Sequence, residues 1–165
     1  MEYVNKSITY CDGKLVRVSD DFEYSIHKCP KILYQDFLRV FNPPKHEKTD
    51  VSLMLVWQKT PLSVTCKSVE LYPHLDRLFE RCHNFAKVYL SPQVKWFDLV
   101  CPYTGGAYRG QRSCHTWSEI KAHQLLLGYQ YQSLNSCHML VHPKWNDCGY
   151  PTTIAMINRD GDSND

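Results

Sequence analysis

Cysteine and histidine are the residues of this chain whose types and spacing could do chemistry. The sequence holds eight of each, and seven of them fall between residues 114 and 148: Cys114, His115, His123, Cys137, His138, His142 and Cys148. Thiolate and imidazole are the ligands that zinc takes in a tetrahedral shell. The run Cys137-x4-His142-x5-Cys148 offers three of them on a short strand–turn–strand unit. Cys114 lies just before an expected helix and His123 two turns inside it, so either can close the shell from the other side, and Cys101 is a further candidate. The expected ligand set is Cys114, Cys137, His142 and Cys148, with His123 as first substitute, around one structural Zn2+. No Cys-x2-Cys or His-x3-His pair accompanies them. The opposing reading makes the cysteines buried thiols and the histidines hydrogen-bonded or exposed side chains.

The spacing of Cys137, His142 and Cys148 resembles the later half of a retroviral-type zinc knuckle. Asp147-Cys148-Gly149 resembles the nucleophile turn of the SUMO-protease and adenovirus-protease class, over three residues. That resemblance implies Cys148 as nucleophile at a helix start, with His115 of His115-Thr116-Trp117 as general base. The chain departs from the pattern in three places. Glu119 is the one acid between residues 118 and 146, His142-Pro143 stands where a Gln belongs, and Tyr150–Ile154 reads as strand or turn. Pro61-Leu62-Ser63-Val64-Thr65-Cys66 resembles the start of an elongin-binding box, with Glu70 where that motif wants an aliphatic residue.

Two binding readings stand beside these. The glycine-containing loop 101–114 carries Tyr103, Tyr108, Arg109 and Arg112, the stacking and phosphate-binding side chains of a single-stranded nucleic-acid site. The alternative is a surface for a protein partner. Bulk charge favours neither, because 19 basic residues face 17 acidic ones. With 43% apolar residues and 13% aromatics, the 165-residue chain can build a real core. The longest apolar run, Val51–Trp57, is far short of a membrane span. The start is polar, so a cytoplasmic or nuclear location with reduced thiols is expected, and no membrane.

These residues need elements to position them. Tyr3–Tyr10 and Leu15–Val18 flank Asp12-Gly13, a hairpin signal, and Phe22–Ile26 adds a strand. Pro30 opens a short helix over Ile32, Leu33, Phe37 and Leu38 that ends before Asn42. Val51–Trp57 and Leu62–Cys66 read as strands. From Pro73 to Leu90, Leu75, Leu78, Phe79, Cys82, Phe85, Ala86, Tyr89 and Leu90 make one apolar stripe of a long helix. Lys95–Val100 reads as a strand. Thr116-x-x-Glu119 is a capping box for a helix over 117–127, stopped by Gly128. Tyr129–Ser133 and His138–His142 follow as short strands.

The sequence thus predicts an α+β fold with an N-terminal antiparallel sheet, one long amphipathic helix and a small zinc-stapled Cys/His C-terminal lobe. The expected divisions are an α+β part over 1–92, the Cys/His-rich lobe over 93–157, and a disordered tail over 158–165. The expected function is a non-enzymatic, zinc-stabilised regulatory or adaptor protein for a protein or nucleic-acid partner, in the general style of virus-encoded accessory proteins. The enzymatic alternative is the cysteine-protease reading.

Overall fold

The computed structural model describes residues 15–44, 51–65, 70–134 and 137–159, apart from the side chains of Leu134 and Cys137. Its elements run β1 (Val16–Ser19), β2 (Phe22–Lys28), α1 (Lys31–Phe41), β3 (Val51–Lys59), α2 (Tyr72–Tyr89), β4 (Val94–Leu99), α3 (Glu119–Leu127), β5 (Tyr131–Leu134), β6 (Cys137–Leu140) and β7 (Gly149–Asn158). Five strands form one antiparallel sheet in the order β1-β2-β3-β7-β4, and β5-β6 form a separate hairpin. The fold is α+β, as expected. The sheet is continuous across the boundary expected at Ser91–Gln93, because β7 pairs with β3 on one side and β4 on the other.

Period-two alternation explains the layers. Phe22, Ile26, Met54, Val56, Ile154 and Met156 face one way, and pack on Cys82, Phe85 and Ala86 of α2. Leu53 and Ala155 face the other way, toward Leu33, Phe37, Val40 and Phe41 of α1 and toward Trp117 and Ala122 at α3. Burying each large side chain of this kind contributes about 1.5–3 kcal/mol. The central strands β3 and β7 are covered on both faces, which suits the apolar runs Leu53–Trp57 and Ile154–Ile157 within them.

Helix ends follow their local chemistry. Pro30, extended at φ −69°, precedes α1, and Asn42 closes it in the left-handed conformation at φ 43°. The cap of α3 departs from expectation. Ser118, rather than Thr116, accepts the Lys121 amide at 3.1 Å, and Gly128 closes the helix at φ 68°. Glu119 thereby becomes the first helical residue and is free for another task. The strand expected over Leu62–Cys66 is replaced by turns through residue 65, held by Thr60 N–H to the Cys148 carbonyl and Val64 N–H to the Asp147 carbonyl. Cys66, the expected strand Tyr3–Tyr10, the loop 45–50 and most of the expected tail lie outside the described residues. Among the described residues no helix is long and apolar enough to cross a membrane.

Candidate functional site

Two of the expected ligands, His123 and His142, meet around Trp57 of β3 in the interior. All three are buried. Trp57 Nε1–H donates to His123 Nδ1 at 3.0 Å. That nitrogen is an acceptor, so the ring proton sits on Nε2 and faces Glu119 Oε2 at 3.1 Å. His142 repeats the arrangement. The amides of Lys144 and Trp145 both donate to its Nδ1 at 3.1 Å, leaving Nε2–H for Glu23 Oε2 at 3.0 Å. Trp57 meets the two imidazoles edge-on at 5.2 and 5.1 Å. Trp145 stacks on His142 at 4.1 Å, and Tyr129 packs against both Trp57 and His142.

The network is built from four elements. Glu23 comes from β2 and Trp57 from β3, in register with each other across the antiparallel pair. His123 and Glu119 come from α3, one turn apart. His142 follows the β5-β6 hairpin. Glu119 also accepts from the amide of Thr153 at 3.0 Å and from its hydroxyl, and Trp117 Nε1–H donates to that same hydroxyl at 3.1 Å. The buried carboxylate of Glu23 and the half-buried one of Glu119 are thus both hydrogen-bonded. The chemistry this arrangement performs is positioning, since it clamps α3 and the 142–148 turn onto the sheet. Burial holds His142 below the usual imidazole range, against the pull of Glu23.

Among the described residues the expected zinc shell is not assembled. Both ring nitrogens of His123 and of His142 are already engaged, so neither has a lone pair for a metal. Cys114 and His115 are exposed on the loop before α3. Cys148 is half-buried with Asp147 as its partner at 3.7 Å. The side chain of Cys137 lies outside the described residues, while His138 is exposed, with Ser133 on its Nδ1 at 3.0 Å. Among the described residues no group of three or more His, Cys, Asp or Glu stands where it could hold a metal ion.

The nucleophile reading fails on geometry as well. Gly149 begins strand β7, not a helix, so no helix dipole acts on Cys148. Burial and the neighbouring Asp147 carboxylate push the Cys148 thiol up, the reverse of activation. Gly149 is required by close approach, because an added Cβ would stand 3.0 Å from both the His142 Cβ and the Trp57 ring.

Loop 101–114 is ordered by a carboxylate. Asp98, fully buried at the end of β4, accepts from the amides of Leu99 (2.8 Å) and Arg109 (2.7 Å) through Oδ1, and of Gly110 (2.9 Å) through Oδ2. Cys101 starts the loop, with its amide bonded to the Gly106 carbonyl at 2.8 Å. Burial raises the Cys101 thiol, but the Thr104 hydroxyl, the Tyr103 and Thr104 amides and Arg112 outweigh it, and the net direction is down. Sequence reasoning missed Glu23, Trp57, Glu119 and Asp98. None of these carried a signal: Glu23 falls on the polar side of the alternation in Phe22–Ile26, where a charge is the expected residue.

Fold and site together define an α+β protein in which an interior polar network ties α3 and the 142–148 turn to one antiparallel sheet. Residues 4–158 match the family model described as MMADHC, methylmalonic aciduria and homocystinuria type D protein, and the chain belongs to that family. It is similar to cobalamin trafficking protein CblD of Rattus norvegicus, 29% identical over 126 residues that cover 74% of this chain and 42% of the relative. The Homo sapiens protein of that name is 28% identical over 145 residues, covering 86% of this chain and 46% of the relative. That of Gallus gallus is 26% identical over 147 residues, covering 87% and 47%. The chain spans less than half the length of these relatives. Membership of this family overturns the expected virus-like zinc accessory protein and the cysteine-protease alternative, and gives the nucleic-acid reading no support.

Proposed function

We propose that this chain acts in cobalamin trafficking, as a protein that takes part in handing cobalamin on in concert with a protein partner. The observation that carries the reading is the family match over nearly the whole chain, joined by relatives named as cobalamin trafficking proteins. The structure supports a presenting role. The interior network holds His142 just after the β5-β6 hairpin, and the hairpin leaves Tyr131 and His138 exposed. Cobalamin is the cargo here, and no catalytic residue is assigned.

The test is complementation. The chain is expressed in cultured cells lacking their own CblD, with the human relative trimmed to its matched residues as positive control. Methylmalonate and homocysteine are then measured. A fall in either, relative to empty vector, supports the reading. If the trimmed relative lowers them and this chain lowers neither, the reading is wrong.

A further inference from the structure

The face formed by loop 101–112 against α2 carries a surface that the interior network does not use. Tyr103 is 59% and Tyr108 47% exposed, large values for aromatic side chains with fixed neighbours. Tyr108 stands edge-on to Phe79 at 4.7 Å and to His83 at 5.2 Å, so α2 holds it upright. Tyr103 is held by its hydroxyl on Asp76. Arg109 lies flat over Phe97 at 4.3 Å and donates to the Phe97 carbonyl at 3.2 Å, while its own amide is anchored on Asp98. Ser113 then ties the loop to the α1 C-terminus through the Arg39 carbonyl at 2.9 Å. The surface is preformed, and binding it would need little ordering.

Its charge is unbalanced. Lys87, Arg109 and Arg112 are all exposed, and none has a carboxylate partner among the described residues. Of the carboxylates on this face, Asp98 is fully buried beneath the loop and bonded to three backbone amides, so Asp76, bonded to the Tyr103 hydroxyl, is the exposed negative charge set against these cations. The positive potential is felt locally: after burial, Lys87 and Arg109 are the causes that hold His83 below the usual imidazole range, with Asp98 opposing. Exposed tyrosine and arginine on a rigid support are the residues that concentrate binding energy at protein interfaces. Nucleic-acid phosphates could meet the same cations, so octathymidylate is the control that separates a strand from an acidic peptide.

We propose that this face is a docking surface for an acidic segment of a protein partner, with Tyr103 and Tyr108 as anchors and Arg109, Arg112 and Lys87 meeting its carboxylates. The identity of the partner as a protein rests on the trafficking reading, whereas the surface does not. The probe is a fluorescein-labelled octaglutamate peptide, followed by fluorescence anisotropy with the intact chain at low ionic strength. Binding is expected to weaken at least about tenfold in K87E/R112E, whose side chains make no packing contact that folding needs, and to weaken steeply with salt. Y103S/Y108S is expected to weaken it several-fold with an unchanged melting curve, and octaglutamine should not bind. Equal binding by wild type and K87E/R112E overturns the proposal, as does octathymidylate binding as tightly as octaglutamate. Peptide binding that persists when complementation fails leaves the surface standing and removes only its assignment to cobalamin trafficking.

Discussion

Protonating His142 would set a new N–H at Nδ1 against the amides of Lys144 and Trp145, which already point their own N–H groups there. Folding therefore favours the neutral ring. Burial lowers the pKa of His142 below 6.5, with Lys144 adding to it and Glu23 opposing, and burial likewise lowers His27 and His83. The unfolded chain then binds more protons than the folded one just below 6.5. Stability is fully present above that value and is lost as pH falls toward the folded-state values, each histidine removing at most about 1.4 kcal/mol per pH unit crossed. Melting temperatures at pH 7.5 and 5.5, as nominal points about one pH unit either side, should show a clear acid loss that His142→Gln flattens. Equal slopes in the two proteins would remove His142 from the account. Thiol chemistry gives a second prediction at this scale. Cys101 is lowered, Cys148 raised, and Cys82, fully buried in the core, is pushed up to about 12. Since the thiolate is the nucleophile, iodoacetamide near neutral pH should modify Cys101 before Cys148, and Cys82 last. Peptide mass spectrometry of timed samples reads the order, and early modification of Cys148 would revive its activated state.

Elements meet most closely where β7 begins. Gly149 lets the backbone pass under Trp57 and beside His142, with no room for a methyl group at 3.0 Å from each. Gly149→Ala must push either the indole or the imidazole out of its hydrogen bonds, and should cost about 1–3 kcal/mol. Chemical denaturation measures it, and a midpoint equal to wild type would mean the turn has slack. The helices and most strands were legible because their signals are local: Pro30 and Asn42 at the ends of α1, the apolar stripe of α2, Gly128 closing α3. The cap of α3 falls two residues later than its spacing suggests, because Thr116 and Ser118 offer the same side-chain acceptor. Spacing favoured Thr116, which has Glu119 three residues on, but tertiary structure chose Ser118, so that Glu119 reaches Thr153 and His123. The polar site was illegible for a different reason. Glu23 meets His142 across 119 positions and Trp57 meets His123 across 66, distances at which pattern carries nothing. Cys and His crowded together in sequence therefore suggested metal, while the imidazoles had already found carboxylates and amides.

At the scale of the whole molecule, the sheet order β1-β2-β3-β7-β4 decides how the chain can come apart. Residues 1–92 contain β1, β2, α1, β3 and α2, which look self-sufficient when read along the sequence. Yet β3 is paired along its full length, Val51 to Lys59, with Ile157 to Gly149 of β7. Removing the second half would bare nine residues of an apolar strand edge, together with the side of α1 that rests on Trp117 and Ala122. Neither half has a core that closes without the other, because both layers beside the sheet draw on residues from each. The chain should therefore unfold as one cooperative unit. Helical circular dichroism, which α2 dominates, and tryptophan fluorescence, reporting on Trp57, Trp96, Trp117 and Trp145, should give coincident melting curves. A fragment of residues 1–92 should be insoluble or unfolded, whereas two separated transitions, or a 1–92 fragment that melts sharply by itself, would show that the boundary at Ser91–Gln93 divides independent units. We expect coincidence, because the long central pairing of β3 with β7 must form or break for either half to exist.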